Sequence, residues 1–105
     1  MYSMQHLDRL KKLDMLAKDS TSAFWQYDHA ALSDGAIPKK YKELMAVAVA
    51  LTTQCPYCIE LHKRTALEAG ATEEQLAEVI HVAAVMRAGA AITHGTHLLG
   101  DGNTH

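Results

Sequence analysis

Glu43-Leu44-Met45-Ala46-Val47-Ala48-Val49-Ala50-Leu51-Thr52-Thr53-Gln54-Cys55-Pro56-Tyr57-Cys58-Ile59-Glu60-Leu61-His62 contains the longest apolar run of the chain and both of its cysteines. Leu44 to Leu51 is eight apolar residues long, so a helix here is apolar on every side and is expected to be central and buried. Thr52-Thr53-Gln54 ends that helix. Pro56 opens the next one just after Cys55, because proline's missing N–H costs nothing in a first turn.

Outward from this stretch the signals remain helical. Pro38 suits the first turn of the helix that carries Glu43, and Ser33-Asp34-Gly35 before it reads as a turn. Ser20 or Thr21 is positioned to cap an earlier helix holding Phe24, Trp25, Tyr27, Ala31 and Leu32. Leu7, Leu10, Leu13 and Leu16, with charged residues between them, predict an amphipathic helix from about Ser3 to Lys18. On the other side, Gly70 is placed as the C′ residue of the helix begun at Pro56. Thr72-Glu73-Glu74-Gln75 reads as a capping box for a last helix with Leu76, Val79, Ile80, Ala83 and Ala84 on one face. The Gly-, Ala- and His-rich segment after Met86 continues it and ends at Gly100-Asp101-Gly102-Asn103.

Composition agrees. Ala, with 17 copies, and Leu, with 12, outnumber five Val and four Ile, and only Pro38 and Pro56 interrupt the chain. Ala and Leu favour helices, whereas strands favour β-branched and aromatic residues. The expected fold is an all-α helical bundle in a single domain, 1–105. A formal net charge of −2 lacks the concentrated basic face of a nucleic-acid module. The polar N-terminus does not resemble a secretory signal, and no continuous stretch approaches the ~20 apolar residues that cross a bilayer. A cytoplasmic protein without membrane or nucleic-acid partners is expected. At 105 residues the chain leaves much apolar surface uncovered, which favours a homo-oligomer.

Cys-x-x-C in a reducing compartment reads as redox or metal chemistry. The helix starting near Pro56 directs its positive dipole end at Cys55 and Cys58, which favours a thiolate over a free thiol of pKa about 8.5. Cys58 and His62 are i and i+4 and share a helix face, so His62 can take the Cys58 proton. In an antiparallel hairpin Glu43 and His62 differ in height by three residues, about 4.5 Å. Glu43 can therefore reach His62 directly or through a water and complete a Glu–His–Cys relay.

E-x11-C-x-x-C-x3-H, flanked by Gly35-Ala36-Ile37-Pro38-Lys39-Lys40-Tyr41-Lys42 and Ala66-Leu67-Glu68-Ala69-Gly70-Ala71-Thr72-Glu73-Glu74, resembles the carboxymuconolactone decarboxylase family and within it the alkylhydroperoxidase D-like group. The resemblance covers about 24–100. It implies an all-helical fold assembled as trimers or hexamers. It also implies thiol-dependent reduction of a hydroperoxide, or disulfide exchange, reset by an external dithiol and using no cofactor. By position, Cys58 would be the attacking thiolate, Cys55 the resolving partner, and His62 with Glu43 the proton relay. The alkylhydroperoxidase D type carries a His just before the second cysteine. Tyr57 stands there in this chain, and a phenol does not titrate near neutrality. The resemblance therefore implies the redox dithiol more directly than the peroxidase activity. The decarboxylase branch lacks the C-x-x-C, which argues against lactone decarboxylation. Cys-Pro-Tyr-Cys also occurs in glutaredoxins, but these surround it with strands, which are not visible in this sequence.

Other readings are weaker. A metal site would need His94 and His97, at i and i+3, to join the cysteines, and no further ligand pair completes a four-ligand zinc pattern. His81 reads as structural or surface, Tyr57 as a wall of the site, and Phe24, Trp25 and Tyr27 as core or interface. Lys39, Lys40 and Lys42 read as a solvated face. A binding or scaffold protein with an idle dithiol, whose thiols would keep an ordinary pKa, is the alternative to an enzyme.

Overall fold

The structure, a computed structural model, describes residues 4–102. Among the described residues, helices account for every regular element. A 3-10 helix, Met4–Arg9, leads into α1 (Leu10–Leu16) and α2 (Lys18–Leu32). Then come α3 (Lys39–Thr53), α4 (Pro56–Glu68), α5 (Glu73–Gly95) and a closing 3-10 turn, Thr96–Leu98. The all-α expectation holds. The expected start at Ser3 and the final turn residue Asn103 lie outside the described residues.

Local chemistry accounts for most of the boundaries. Asp34 Oδ1 accepts the Lys39 N–H at 2.6 Å and satisfies the first donor of α3, a role Pro38 cannot fill. At the other end Gln54 adopts the left-handed conformation, φ 57° and ψ 43°, and turns the chain within two residues into α4. The end of α4 is a Schellman motif. Ala71 N–H donates to the Ala66 carbonyl at 2.9 Å and Gly70 N–H to Leu67 at 3.1 Å, with Gly70 at φ 98°. Both bonds of the capping box form at the start of α5: Gln75 N–H to Thr72 Oγ1 at 3.1 Å, and Thr72 N–H to Gln75 Oε1 at 3.0 Å.

Two N-terminal expectations are corrected. The single amphipathic helix is split, 3-10 first and α afterwards. Leucines spaced by three match the three-residue period of a 3-10 turn as well as an α-helical face, so the pattern could not separate the two. The second helix starts at Lys18, with Ala17 at φ −134° breaking it from α1, and Thr21 lies buried inside it rather than capping it. Trp25 Nε1 donates to Asp14 Oδ1 at 3.0 Å and fastens α2 to α1.

α3 is the hub, packing chiefly on α4 and α5, while α2 touches it only lightly. The core is small: Val47, Ala50, Ala66, Ala71 and Ala83 are its buried apolar residues, with Thr21 and Glu43 the buried polar ones. The run from Leu44 to Leu51 is therefore only partly covered. Val47 and Ala50 are buried, but Met45 is 45% exposed and Val49 60%, because two neighbours cannot enclose a helix apolar on every side. α5 is barer still. Ala83 is its buried residue, and Ile80, Val82, Val85, Met86 and Ile92 stand open.

The radius of gyration is 18.4 Å, against about 13 Å for a compact domain of this length. The chain thus spreads its apolar faces outward rather than folding them onto one another. By length and composition alone, Glu73–Leu98 is long and apolar enough to cross a membrane. No unbroken apolar run marks it, because Glu78, His81, Arg87 and Gly89 interrupt the alanines and larger apolar residues that keep its mean hydropathy high.

Candidate active site

The α3–α4 hairpin brings Glu43 and His62 together across its two arms. Glu43, in the second turn of α3, is 1% exposed. Its Oε2 lies 2.8 Å from Nδ1 of His62, on the facing side of α4. An antiparallel pair of helices is what makes residues 19 apart meet in this way. The contact is direct, the closer of the two arrangements the spacing allowed.

The second carboxylate oxygen is also engaged. Lys39 Nζ lies 3.2 Å from Glu43 Oε1, one helical turn earlier on α3. Burying a carboxylate costs several kcal/mol unless charge and hydrogen bonds compensate, and both oxygens here are met by cationic or N–H partners. Lys39, expected on a solvated face, instead reaches the carboxylate, and its i,i+4 spacing from Glu43 is the sequence signal of that contact. Lys42 likewise turns inward, its Nζ donating to the Ser33 carbonyl at 2.7 Å.

Cys55 is the N-cap of α4. Its backbone is extended, φ −94° and ψ 101°, and its Sγ accepts the Cys58 N–H at 3.3 Å. This is the capping geometry usually supplied by a Ser, Thr or Asp oxygen, here performed by sulfur. Both cysteines are free and half-buried. Hydrogen bonds from the Cys58 side chain and then its backbone N–H hold the Cys55 thiol below its ordinary value of 9.0. Cys58, as the donor in that pair and with burial adding to the effect, is pushed up to about 11. The resting arrangement therefore favours charge on Cys55, whereas the resemblance makes Cys58 the attacking thiolate.

The two pairs, Cys55–Cys58 and Glu43–His62, are joined by α4 itself. Cys58 and His62 stand one turn apart on it, a spacing that sets Cβ atoms about 5–6 Å apart. Nδ1 of His62 is taken by Glu43, so the nitrogen left for a Cys58 proton is Nε2. Tyr57, between the cysteines, is half-buried, and its hydroxyl lies 3.2 Å from His6 Nδ1 in the N-terminal 3-10 helix. No sequence pattern signals a contact across 51 positions. His94, near the end of α5, and His97, in the closing 3-10 turn, meet edge to face with ring centroids 5.7 Å apart.

A buried Glu43 paired with His62 behind a C-x-x-C at a helix N-terminus, in a fold with no strand among its described residues, defines a class of helical dithiol proteins. This chain belongs to the carboxymuconolactone decarboxylase family, whose profile matches residues 18–101. It is 52% identical over 77 residues to an uncharacterised protein of the cox locus of Paracoccus denitrificans, covering 73% of this chain and 69% of that one. It is 37% identical over 59 residues to the alkyl hydroperoxide reductase AhpD of Gluconacetobacter diazotrophicus, covering 56% of this chain and 33% of that one. The chain thus spans only about a third of that reductase. Among solved structures, a carboxymuconolactone decarboxylase family protein from Legionella pneumophila superposes with a TM-score of 0.74 at 36% identity, over 78% of this chain and 73% of that one. A protein from Methanobacterium thermoautotrophicum gives 0.75 at 34% identity, over 79% and 93%.

Proposed function

We propose that this protein is a thiol-dependent oxidoreductase that reduces a hydroperoxide with its Cys55–Cys58 dithiol. The observation that carries the reading is the 2.8 Å bond between buried Glu43 and His62, one turn behind Cys58. A Glu–His pair serves a reaction that moves a proton, and peroxide cleavage is such a reaction. The family membership and the similarity to an alkyl hydroperoxide reductase support the same chemistry.

In the proposed cycle His62 Nε2 takes the Cys58 proton while Glu43 stabilises the imidazolium. The thiolate attacks the terminal peroxide oxygen, the O–O bond breaks, and the departing alkoxide takes the proton from His62 as an alcohol. Cys58 is left as a sulfenic acid. Cys55 thiolate attacks that sulfur and expels hydroxide, which leaves as water once protonated, and a Cys55–Cys58 disulfide forms. An external dithiol then reduces the disulfide by exchange.

The uncovered faces of α3 and α5 support assembly as a homo-oligomer, which we propose to be a trimer or hexamer in the cytoplasm. Self-association would bury Val49, Val82 and Val85, whose exposure leaves the monomer's core small.

The test is peroxide consumption in the presence of a dithiol reductant, comparing wild type with Cys58→Ser and Glu43→Gln. Loss of turnover in the first and a drop of about a hundredfold in the second are expected, the scale of general acid–base catalysis. Equal rates in all three proteins would overturn the reading.

A further inference from the structure

Arg87 reaches from α5 to the corner that carries Cys55. We propose that Arg87 is a positioning residue for the dithiol: by holding the Thr52 carbonyl it fixes the left-handed corner at Gln54, and with it the place from which Cys55 meets Cys58. The inference rests on the dithiol reading above. It deepens that reading by naming the long-range contact that readies the pair to close.

Pro56 creates the need for this contact. The last carbonyls of a helix have no donors within the helix itself. In α3 the Ala50 carbonyl is met locally, by the Gln54 N–H and, at 3.2 Å, by the Cys55 N–H. For Thr52 the residue four positions on is Pro56, which has no N–H to give. Arg87 Nη1 donates to the Thr52 carbonyl instead, across 35 positions. Arg87 is the only Lys or Arg in α5, and at the end of α3 its charge also meets the negative end of that helix dipole.

The corner needs holding. Gln54 stands at φ 57°, the one residue other than glycine with a positive φ among the described residues. A side chain with a Cβ is disfavoured there, and Asn or Asp tolerates it better than Gln. Such a conformation persists where its surroundings over-determine it. The bonds to Ala50 are local ties, whereas Arg87 anchors the chain two residues before Gln54 to a separate helix. Cys55 follows directly, its backbone extended and its Sγ 3.3 Å from the Cys58 N–H. A disulfide forms only within narrow geometry. Two thiols already held near each other close that ring with little loss of freedom, which raises their effective concentration. A loosened corner gives up part of that advantage.

The test is the equilibrium of the reduced protein with glutathione disulfide, read by intact mass after acid quenching and alkylation. The protein dithiol gives up two electrons and two protons as the Cys55–Cys58 bond forms, and glutathione disulfide becomes two glutathione thiols. Arg87→Met is expected to lower the constant for closure about tenfold, and Arg87→Lys, which keeps the cation, to recover most of it. Gln54→Asn, added to Arg87→Met, is expected to offset part of the loss. Ala83→Gly is the control, since Ala83 is buried one turn before Arg87 on α5 and its loss loosens packing without untying the corner. A substitution that destabilises the open and closed forms alike leaves their ratio unchanged. An unchanged or raised constant in Arg87→Met overturns the inference, as does an equal fall in Ala83→Gly. One measurement needs no variant to fold: wild type is expected to close about tenfold or more readily when folded than in denaturing urea, and equal constants overturn the inference. Peroxide consumption by wild type is measured alongside. If it is absent while Arg87→Met still lowers closure, the peroxidase reading falls and the role of Arg87 stands.

Discussion

Glu43 Oε2 and His62 Nδ1 lie 2.8 Å apart, one on each arm of the α3–α4 hairpin, with the carboxylate 1% exposed. The second oxygen of Glu43 holds Lys39 at 3.2 Å, so the carboxylate is shared between a ring nitrogen and an ammonium. Lys39 keeps about two-fifths of its surface in solvent, which places the pair between the surface and buried limits. Lys39→Met is expected to lower stability by about 1–2 kcal/mol and Lys39→Arg to recover most of it. Urea titration of the three proteins checks this, and an unchanged midpoint in Lys39→Met would show that Glu43 relies on His62 alone.

Removing the carboxylate has a larger consequence. Glu43→Ala opens a void at a buried position and strips both Lys39 and His62 of their partner. A loss of about 3 kcal/mol or more is expected, in the range measured for broken buried pairs. Thermal unfolding of Glu43→Ala beside Glu43→Gln separates charge from volume, since the amide retains the shape.

The cysteines titrate in opposite senses, and stability follows. Cys58 is raised from 9.0 to about 11, so its contribution is complete below pH 9 and is lost as pH rises through 11. Cys55 is held below 9.0, so its contribution is present above that value and is lost as pH falls through its lowered pKa. Between pH 9 and 11 wild type should therefore lose stability faster than Cys58→Ser. Parallel melting curves across that window would refute the shift.

Two local devices hold the α4–α5 corner. Gly70 sits at φ 98°, where a Cβ is disfavoured, although no neighbour lies within 4 Å of the one it would add. Gly70→Ala should cost about 1–2 kcal/mol from backbone conformation alone. Thr72→Ala removes half of the capping box and should cost about 1 kcal/mol. Denaturant midpoints of the two variants measure both, and a neutral Gly70→Ala would mean that the corner relaxes.

Val85 is 63% exposed on α5. If that face joins copies of the chain, Val85→Glu should shift the protein toward monomer in light scattering while leaving helical content intact. A mass unchanged from wild type would remove this face from the interface.

The local signals proved readable because their physics is local. Cys55-Pro56, the capping box at Thr72 and Gly70 each mark a helix end through hydrogen bonds within a few residues, and all three stand where the pattern placed them. Where a pattern was shared between conformations, reading failed: leucines spaced by three fit both helix types, and Thr21, a good cap by composition, lies inside α2. The amino acids alone also brought forward Glu43, Cys55, Cys58 and His62 as a set. What they could not express was how polar groups are shared across the hairpin. The direct Glu43–His62 bond depends on the register of two helices, and Lys39 is drawn in because the carboxylate it faces is buried. The Cys55 thiol is held lower than that of Cys58 because one sulfur caps the helix and the other donates to it. The bareness of α3 and α5 is tertiary too, since an apolar sequence states how much surface seeks cover and only packing states how much receives it.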